Sequence, residues 1–217
     1  MRIFLDTANI EEIKQAVKLG VISGITTNPS LISQAKATNY EAAIKEICSI
    51  IPGPVSTEVV VEGVAAMVKQ AREIAKWAPN IVIKIPSTAE GLEVTSILTK
   101  EKIKVNFTLC FSVNQALLAA EAGATYVSPF VGRLDDIGQD GMQLVEDIMY
   151  VYENYPEIKT QVIAASIRHP EHCFRAAKIG AHIATLPYKV LMQMIQHPLT
   201  DAGNKRFLAD FKSLSQQ

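Results

Sequence analysis

Short apolar runs alternate along the chain with longer stretches whose apolar residues recur every three or four positions. The short runs are rich in β-branched residues and predict strands at 2–6, 24–26, 55–60, 81–85, 104–108, 125–130, 161–166 and 182–185. The longer stretches predict helices at 10–19, 40–50, 64–77, 91–100, 113–122, 141–152, 171–179 and 188–196, with one more over about 201–217. This alternation is typical of βαβ units and a parallel sheet.

The number of these units favours one closed architecture. Eight βα units in 217 residues fit a single-domain (β/α)8 barrel, the TIM barrel, near the small end of its size range, followed by an additional C-terminal helix. An open doubly wound sheet is the alternative. That fold usually carries a glycine-rich phosphate loop after its first strand, and the sequence contains neither G-x-G-x-x-G nor G-x-x-x-x-G-K-[ST].

Alternation within the strands directs polar side chains into the barrel. Side chains two residues apart share a face, so Ile81 and Ile83 pack under the helices while Lys84 points inward. The same count predicts inward positions for Asp6, Ser56, Glu58, Asn106, Thr108, Ser128, Phe130, Ser166 and Arg168. On the seventh strand it assigns Ile163 and Ala165 to the opposite, outward face. Inward polar groups at the carboxyl ends of barrel strands are typical of an active site.

Most of these residues also have a purely structural interpretation. A single lysine at the end of an apolar strand is more often ion-paired than nucleophilic, and Glu58 could be the partner of Lys84. Asp6 could simply cap the first helix. The functional interpretation depends on the whole set, because every buried polar group on one rim needs a partner.

Three further positions allow two interpretations each. Asn28 precedes a proline and reads locally as a turn, and Arg133 could pair with the two aspartates that follow it closely in the sequence. His169, His172 and Cys173 cluster, but their spacing matches no zinc pattern. An ordinary helix start is the favoured interpretation of that cluster.

Composition and charge exclude several classes of protein. A hydrophobic fraction of 48% with 20% charged residues excludes a disordered chain, and a net charge of −1 provides no field for nucleic acid or an anionic membrane. Cys48, Cys110 and Cys173 lie far apart, which suits a reducing compartment. The N-terminal apolar run is too short for a signal sequence, and no stretch approaches ~18 uninterrupted apolar residues. We therefore expect a soluble, cytoplasmic protein.

Six motifs carry a resemblance to a known family. They are LDTAN (5–9), GITTNPS (24–30), IKIPST followed by AEGL (83–92), NFT (106–108), SPFVGR (128–133) and AASIRHP (164–170). Together they resemble the transaldolase family. The short chain and the order of the motifs are similar to its small subfamily, which also contains fructose-6-phosphate aldolases. The resemblance runs from the first strand to about Leu186.

This resemblance implies roles for the inward residues. By analogy Lys84 is the Schiff-base lysine, and Asp6 is the acid and base at the C4 hydroxyl of the donor sugar. Glu58 and Thr108 hold the water that shuttles protons during formation and hydrolysis of the imine. The implied substrate-binding residues are Asn28, Asn106 and Ser128 for the donor hydroxyls, and Arg133, Ser166 and Arg168 for the phosphate.

The chemistry of the residue types agrees with these roles. An amine attacks a carbonyl only in its neutral form, which desolvation and the positive potential of Arg133 and Arg168 favour for Lys84. The resulting iminium accepts electrons, so the C3–C4 bond breaks once a base such as Asp6 removes the C4 hydroxyl proton. Two arginines suit a phosphate because their contacts are bidentate and charge-assisted. This chemistry needs no metal and no organic cofactor.

The resemblance favours one reaction over two alternatives. It implies a transaldolase of the pentose phosphate pathway, which moves a dihydroxyacetone unit from sedoheptulose 7-phosphate to glyceraldehyde 3-phosphate, giving erythrose 4-phosphate and fructose 6-phosphate. A fructose-6-phosphate aldolase would release free dihydroxyacetone, and such aldolases tend to carry Gln and Tyr where this chain has Glu58 and Phe130. A non-catalytic sugar-phosphate binding protein would keep the arginines but would not use Lys84.

The last predicted helix suggests an assembly. Phe207, Leu208 and Phe211 cluster on one helical face beyond the eight βα units, where a closed barrel has no internal place for them. We expect this face to pack on a neighbouring subunit. The resemblance implies a homo-oligomer, either a pentamer or paired pentamers.

Overall fold

The computed structural model describes residues 1–36 and 39–214. It has the fold of a closed parallel barrel. Within this part of the chain eight strands follow one another around the barrel in sequence order, and β8 pairs with β1 to close it. The strands are β1 (Arg2–Asp6), β2 (Ile22–Thr26), β3 (Val55–Glu58), β4 (Ile81–Pro86), β5 (Val105–Cys110), β6 (Tyr126–Pro129), β7 (Gln161–Ala164) and β8 (Ile183–Leu186). The predicted (β/α)8 fold is confirmed.

Helices connect the strands and surround the barrel. They are α1 (Ile10–Lys18), α2 (Pro29–Gln34), α3 (Tyr40–Ile50), α4 (Val64–Ala75), α5 (Ala89–Lys100), α6 (Val113–Glu121), α7 (Val131–Asp135), α8 (Gly141–Glu153), α9 (Pro170–Ile179), α10 (Tyr188–Ile195) and α11 (Pro198–Leu214). Residues 215–217, the predicted end of the last helix, lie outside the described residues. None of the helices in the described ranges has the length and apolar character needed to span a membrane.

Two short helices, α2 and α7, were not predicted. The Asn28-Pro29 pair, interpreted from the sequence as a turn, instead forms the start of α2. The Asn28 side-chain oxygen accepts a hydrogen bond from the Leu31 N–H at 3.0 Å, and Pro29 occupies the first turn. Helix α7 follows β6 directly, and no side chain caps its start. A single helical turn has no room for the apolar periodicity from which the longer helices were predicted.

The interior of the barrel contains an apolar layer near the amino ends of the strands. This lower layer consists of Phe4, Val82, Tyr126, Ile163 and Ile183. The rings of Phe4 and Tyr126 meet edge to face, with their centroids 6.5 Å apart. Gly24 on β2 leaves space for the Phe4 ring, because a Cβ at position 24 would lie only 2.6 Å from that ring. The lower layer therefore fills the barrel from below.

The outward assignment of Ile163 and Ala165 is wrong. Ile163 belongs to the lower layer inside the barrel, and Ala165 lines the cavity described below. Val162 and Ala164 pack instead in the outer core under the helices. Regular pairing ends at Ala164, and Ser166 has a φ of +59°. A left-handed residue shifts the alternation by one position, so counting back from residue 166 gave the wrong face for Ile163.

The last helix differs from the others in its packing. Within α11 no described side chain is buried, and its large apolar residues are between 60% and 75% exposed. They include Leu199, Phe207, Leu208 and Phe211. The apolar residues expected on this helix are therefore exposed on the surface of the chain.

The three cysteines are free thiols buried in different parts of the fold. Cys48 lies on α3, Cys110 ends β5 and Cys173 lies on α9. Burial raises the pKa of each of these thiols to about 11. At neutral pH all three are protonated and behave as small apolar side chains.

Candidate active site

An open cavity of about 410 Å³ lies at the carboxyl ends of the strands, above the lower layer. Most of the residues singled out in the sequence line it. They are Asp6, Asn28, Lys84, Ser128, Phe130, Arg133, Ser166 and Arg168. Glu58, Asn106 and Thr108 lie on β3 and β5, the two strands that pair with β4. The loops and strands thus bring the predicted set together at one end of the barrel.

Lys84 is a buried amine in this cavity. It is only 3% exposed, because it sits inside the barrel on β4 with apolar residues before and after it. Its Nζ donates a hydrogen bond to the Thr27 carbonyl at 3.1 Å and lies 3.8 Å from Glu58 Oε2. The β3–β4 register pairs Glu58 with Lys84 directly. The structural partner considered from the sequence is therefore present, at a distance longer than a direct hydrogen bond.

Asp6 ends β1 and belongs to a small network of hydroxyl groups. Thr26 donates a hydrogen bond from Oγ1 to Asp6 Oδ1 at 2.7 Å, and the same oxygen of Thr26 lies 2.7 Å from Thr185 Oγ1. Burial raises the pKa of the Asp6 carboxyl, while the positive charge of Lys84 and the Thr26 hydrogen bond oppose the rise. Asp6 does not cap α1, whose first N–H groups bond to the Asn9 side chain. It is therefore available as a proton acceptor and donor.

A second polar network crosses the interior of the barrel and joins β3, β5 and β6. Ser128 donates a hydrogen bond to Asn106 Oδ1 at 2.7 Å, and Asn106 donates from Nδ2 to Ser56 Oγ at 3.1 Å. These bonds fix the orientation of the Asn106 amide. The buried Thr108 hydroxyl has no hydrogen-bond partner among the described residues. Because buried hydroxyls are nearly always bonded, this group can hold a small polar molecule.

Two arginines lie at the mouth of the cavity. The Arg133 guanidinium lies 5.2 Å from the centre of the Phe130 ring, and Arg168 forms an ion pair with Asp136 at 2.7 Å. Arg133 forms no ion pair with another described residue, so the local pairing considered from the sequence is absent. Gly132 lets the Arg168 side chain pass close to α7, since a Cβ there would lie 2.5 Å from Arg168 Nε.

The histidine cluster has a structural arrangement in the described chain. His172 Nε2 lies 2.9 Å from Asp135 Oδ2, and the rings of His169 and His172 pack at a tilt of 45° with centroids 3.8 Å apart. Within residues 1–36 and 39–214, no group of three or more His, Cys, Asp or Glu side chains could hold a metal ion. His169 is the N-cap residue immediately before α9, in keeping with the favoured interpretation of the cluster as a helix start.

The sequence analysis missed several cavity residues. Thr26 and Thr185 line the cavity beside Asp6, and strand alternation could have found both, because each follows an inward residue by two positions. Lys189, in the first turn of α10, adds a fourth basic side chain to the lining. No sequence signal indicated it, since the direction of that side chain depends on how α10 packs.

Comparisons with known proteins show the family to which the chain is related. The family model described as "Transaldolase/Fructose-6-phosphate aldolase" matches residues 3–217. A protein of Dehalococcoides mccartyi named "Probable transaldolase" is 64% identical over 215 residues, which cover 99% of each chain. A "Probable transaldolase" of Thermoanaerobacter sp. is 59% identical over 212 residues, covering 98% of this chain and 97% of that one. Another, from Caldicellulosiruptor saccharolyticus, is 57% identical over 214 residues.

Proposed function

The chain belongs to the transaldolase/fructose-6-phosphate aldolase family of transaldolase-type enzymes, and we propose that it transfers a dihydroxyacetone unit between sugar phosphates through a Schiff base on Lys84. The donor is sedoheptulose 7-phosphate or fructose 6-phosphate, and the acceptor is glyceraldehyde 3-phosphate or erythrose 4-phosphate. The observation that supports this proposal most is the amine of Lys84, 3% exposed, in a cavity that also holds Asp6 and two arginines.

The first step is attack of the Lys84 amine on the C2 carbonyl of the ketose. Nζ must give up a proton to attack, and the Glu58 carboxylate 3.8 Å away suits a transfer through one water. Attack gives a carbinolamine, and Glu58 returns its proton to the hydroxyl at C2, which leaves as water while the nitrogen lone pair forms the C=N⁺ bond. The Thr108 hydroxyl, unpartnered among the described residues, can hold the released water.

Cleavage of the C3–C4 bond requires a base at the C4 hydroxyl, and we assign that role to Asp6. Burial raises the pKa of Asp6, so the carboxylate accepts a proton more readily than an exposed aspartate does. As the proton leaves, the aldose departs and the electron pair of the bond moves to the iminium, giving an enamine. With an acceptor aldehyde the same steps run in reverse, and Asp6 returns the proton to the new hydroxyl.

The remaining cavity residues bind the rest of the sugar. Asn28, Asn106 and Ser128 can bond the donor hydroxyls, and Arg133, Ser166 and Arg168 can hold the phosphate. Charge-assisted contacts at the phosphate orient the carbonyl over Lys84, so the binding energy at one end of the sugar positions the reacting end. No step in this scheme draws on a metal or an organic cofactor.

Borohydride trapping tests the Schiff base. Reduction in the presence of fructose 6-phosphate should leave a three-carbon or whole-sugar adduct on the peptide that contains Lys84, read by mass spectrometry. Reduction without a ketose is the control and should leave no adduct. An adduct on another lysine would reject the mechanism, and no adduct at all would favour a non-catalytic sugar-phosphate binding protein.

Release of dihydroxyacetone, the aldolase reaction, is the second candidate function. Phe130 lines the cavity with its ring centre 6.0 Å from Lys84 Nζ, and Phe111 packs against its other side at 6.0 Å between centroids. Two phenyl rings packed edge to face offer the enamine no proton donor and shield it from water, which favours transfer over release. A hydroxyl added at this ring would supply a donor.

Phe130→Tyr therefore distinguishes transfer from release. We expect the variant to release several times more dihydroxyacetone per transferred unit, because one hydrogen bond shifts a barrier by about 1 kcal/mol. The measurement is the ratio of released to transferred units, with and without an acceptor aldehyde. Phe111→Tyr, one ring further away, is the control. A wild-type protein that mainly releases dihydroxyacetone would show that the chain is an aldolase.

We also propose that the enzyme is a cytoplasmic homo-oligomer of the pentose phosphate pathway, a pentamer or paired pentamers. Phe207 and Leu208 are 70% and 60% exposed on α11, and burying such side chains on a second copy would remove apolar surface from water. Light scattering of a chain ending near Leu199 should show smaller species than the full chain. An unchanged assembly would place the contact elsewhere.

A further inference from the structure

A buried histidine outside the residues assigned above joins the segments that carry the two arginines. His172 on α9 is 4% exposed. Its Nδ1 accepts a hydrogen bond from the backbone N–H of Arg168 at 3.3 Å, and its Nε2 lies 2.9 Å from Asp135 Oδ2 on α7. We propose that His172 is a positioning residue for phosphate recognition, which holds the Arg168 backbone and helix α7 in one arrangement. This proposal rests on the proposed function, in which those arginines meet a phosphate.

The two contacts of His172 require one protonation state of the ring. Nδ1 accepts from a backbone N–H and therefore carries no proton, so the proton of the neutral ring lies on Nε2 and is donated to Asp135. A second proton on Nδ1 would face the N–H of Arg168 and abolish that bond. The link between α9 and Arg168 thus exists only while His172 is neutral.

Asp135 extends the link to the segment that carries Arg133. Its other carboxylate oxygen accepts a hydrogen bond from the Gly141 N–H at 2.9 Å, at the start of α8. Arg133 lies two residues before Asp135 within the single turn of α7. The His172–Asp135 pair therefore fastens α7 between α8 and α9, and with it the backbone that presents Arg133 to the cavity.

The side chain of Arg168 contacts both ends of α7. Its guanidinium bonds to Asp136, the residue that follows the helix, and its stem passes close to Gly132 in the first turn. Backbone and side chain of Arg168 thus depend on the relative position of α7 and α9, which His172 sets. The loop is tied to α7 at Ser166, whose carbonyl accepts a hydrogen bond from the Gly132 N–H at 3.1 Å. His172 adds a second fixed point two residues further on, at the Arg168 N–H.

The charged groups around His172 favour the neutral ring. Burial lowers the pKa of His172, and the neighbouring His169 and Arg175 lower it further, while the Asp135 carboxylate opposes them. His169 and Arg175 belong to α9 and Asp135 to α7, so both elements contribute. Acidification below the ordinary range of histidine, about pH 6.5, therefore protonates the ring and breaks the Arg168 contact.

Two substitutions separate the contacts of His172. In His172→Gln the side-chain amide can still donate to Asp135 but cannot reach the Arg168 N–H, whereas in His172→Asn the shorter amide oxygen can accept from that N–H. We expect His172→Gln to raise the KM for fructose 6-phosphate about three- to tenfold, the usual effect of one lost hydrogen bond. The KM for unphosphorylated fructose should change less than about twofold, and His172→Asn should restore most of the affinity for fructose 6-phosphate.

His182 provides a matched control at the other end of the barrel. Its Nδ1 also accepts a backbone hydrogen bond, from the Val162 N–H at 3.1 Å, and burial lowers its pKa as well. His182→Gln therefore removes a similar bond far from the cavity. It should lower the melting temperature without changing the ratio of the two KM values. A change of that ratio equal to the change in His172→Gln would show a general loss of structure and reject the positioning role.

The pH dependence of KM distinguishes a positioning role of His172 from a purely structural one. The substrate phosphate itself titrates near pH 6, but it does so equally for every variant. The ratio of the KM of wild type to that of His172→Asn therefore isolates the imidazole. We expect this ratio to rise as the pH falls below about 6.5, the ordinary value for histidine. A ratio independent of pH would overturn the proposal, and this comparison decides the matter if His172→Gln fails to fold.

Failure of the positioning role and failure of the proposed function give different results. If the wild-type protein shows no Lys84 adduct, or the same KM for phosphorylated and unphosphorylated donors, the proposed function itself is wrong. If the wild type prefers the phosphorylated donor and His172→Gln retains that preference unchanged, phosphate binding stands and the role of His172 is wrong.

Discussion

The barrel interior contains two layers of opposite character, built by the same strands. The lower layer, defined above, is entirely apolar apart from the Tyr126 hydroxyl. The upper layer consists of the residues two positions further along the same strands. They are Asp6, Lys84, Ser128, Ala165 and Thr185. A step of two residues keeps the side chain on the inward face and moves it about 7 Å toward the cavity.

The difference between the layers separates stability from chemistry. Fully burying an apolar side chain stabilises a fold by roughly 1.5–3 kcal/mol, whereas burying a carboxyl or an amine opposes folding unless it is paired. The upper layer contains Lys84 and Asp6, whose burial is only partly compensated by Glu58 and Thr26. We infer that the lower layer stabilises the barrel enough for the upper layer to keep these groups reactive. The predictions below test this separation, beginning with the largest expected effect.

Lys84→Arg should abolish activity without unfolding the protein. A guanidinium keeps the positive charge beside Glu58 but does not deprotonate, so it cannot form an imine. Activity in the coupled assay should fall to background, and the borohydride adduct should disappear. The circular dichroism spectrum and the melting temperature should stay close to those of the wild type. Residual transfer activity above background would assign the nucleophile to another group.

Phe4→Ala should destabilise the fold but leave the reactivity of Lys84 unchanged. Removing a fully buried phenyl ring leaves a cavity in the lower layer and should cost about 3–5 kcal/mol of the free energy of unfolding. Denaturant titration measures this loss, and the exposed Phe174→Ala on α9 is the control, with an expected change within about 0.5 kcal/mol. At a temperature where the variant is folded, Lys84 should still be trapped at a rate near that of the wild type. A loss of trapping in the folded variant would show that the layers are coupled.

Arg133→Ala and Arg168→Ala test the rim above the upper layer. Each should lower kcat/KM for fructose 6-phosphate by about ten- to a hundredfold, because a charge-assisted contact to phosphate is lost. The exposed side chains of both residues contribute little to the core, so the melting temperature should change slightly. Equal losses for phosphorylated and unphosphorylated donors would identify the arginines as structural.

Asp6→Asn should raise the stability slightly, and the sign of this change distinguishes the layers. Because the pKa of Asp6 is raised in the folded protein, the folded state holds its proton more tightly than the unfolded state, and stability declines as the pH rises through this titration. The variant carries no such penalty. We expect it to be inactive, to melt slightly higher than the wild type at neutral pH, and to lose this advantage as the pH falls toward the ordinary range of aspartate. Destabilisation at all pH values would indicate that the carboxylate has a structural role.

The sequence predicted the regular parts of this molecule well. Strand alternation brought Asp6 and Lys84 to one end of the barrel, because a period of two residues holds as long as the backbone stays extended. It assigned Ile163 to the wrong face, since the left-handed Ser166 interrupts that period. Ser166 and Arg168 reach the cavity nonetheless, through the turn of the loop.

Contacts between distant segments could not be predicted. His172 and Asp135 meet because α7 and α9 pack against the same end of the barrel, and neither residue type nor spacing indicates that pairing. The partner of Arg168 was missed for the same reason: Asp136 precedes it by 32 positions. A single sequence shows periodic patterns and motifs, whereas such pairs depend on the tertiary arrangement.

The three buried cysteines can serve as natural probes of local unfolding. With a pKa of about 11, each thiol is ionised to roughly one part in ten thousand at pH 7, and a folded chain should resist alkylating reagents. Labelling then requires that the segment around a cysteine opens to solvent. Because Cys48, Cys110 and Cys173 lie on α3, β5 and α9, the three labelling rates measure the breathing of three sectors of the barrel separately, in the unmodified chain.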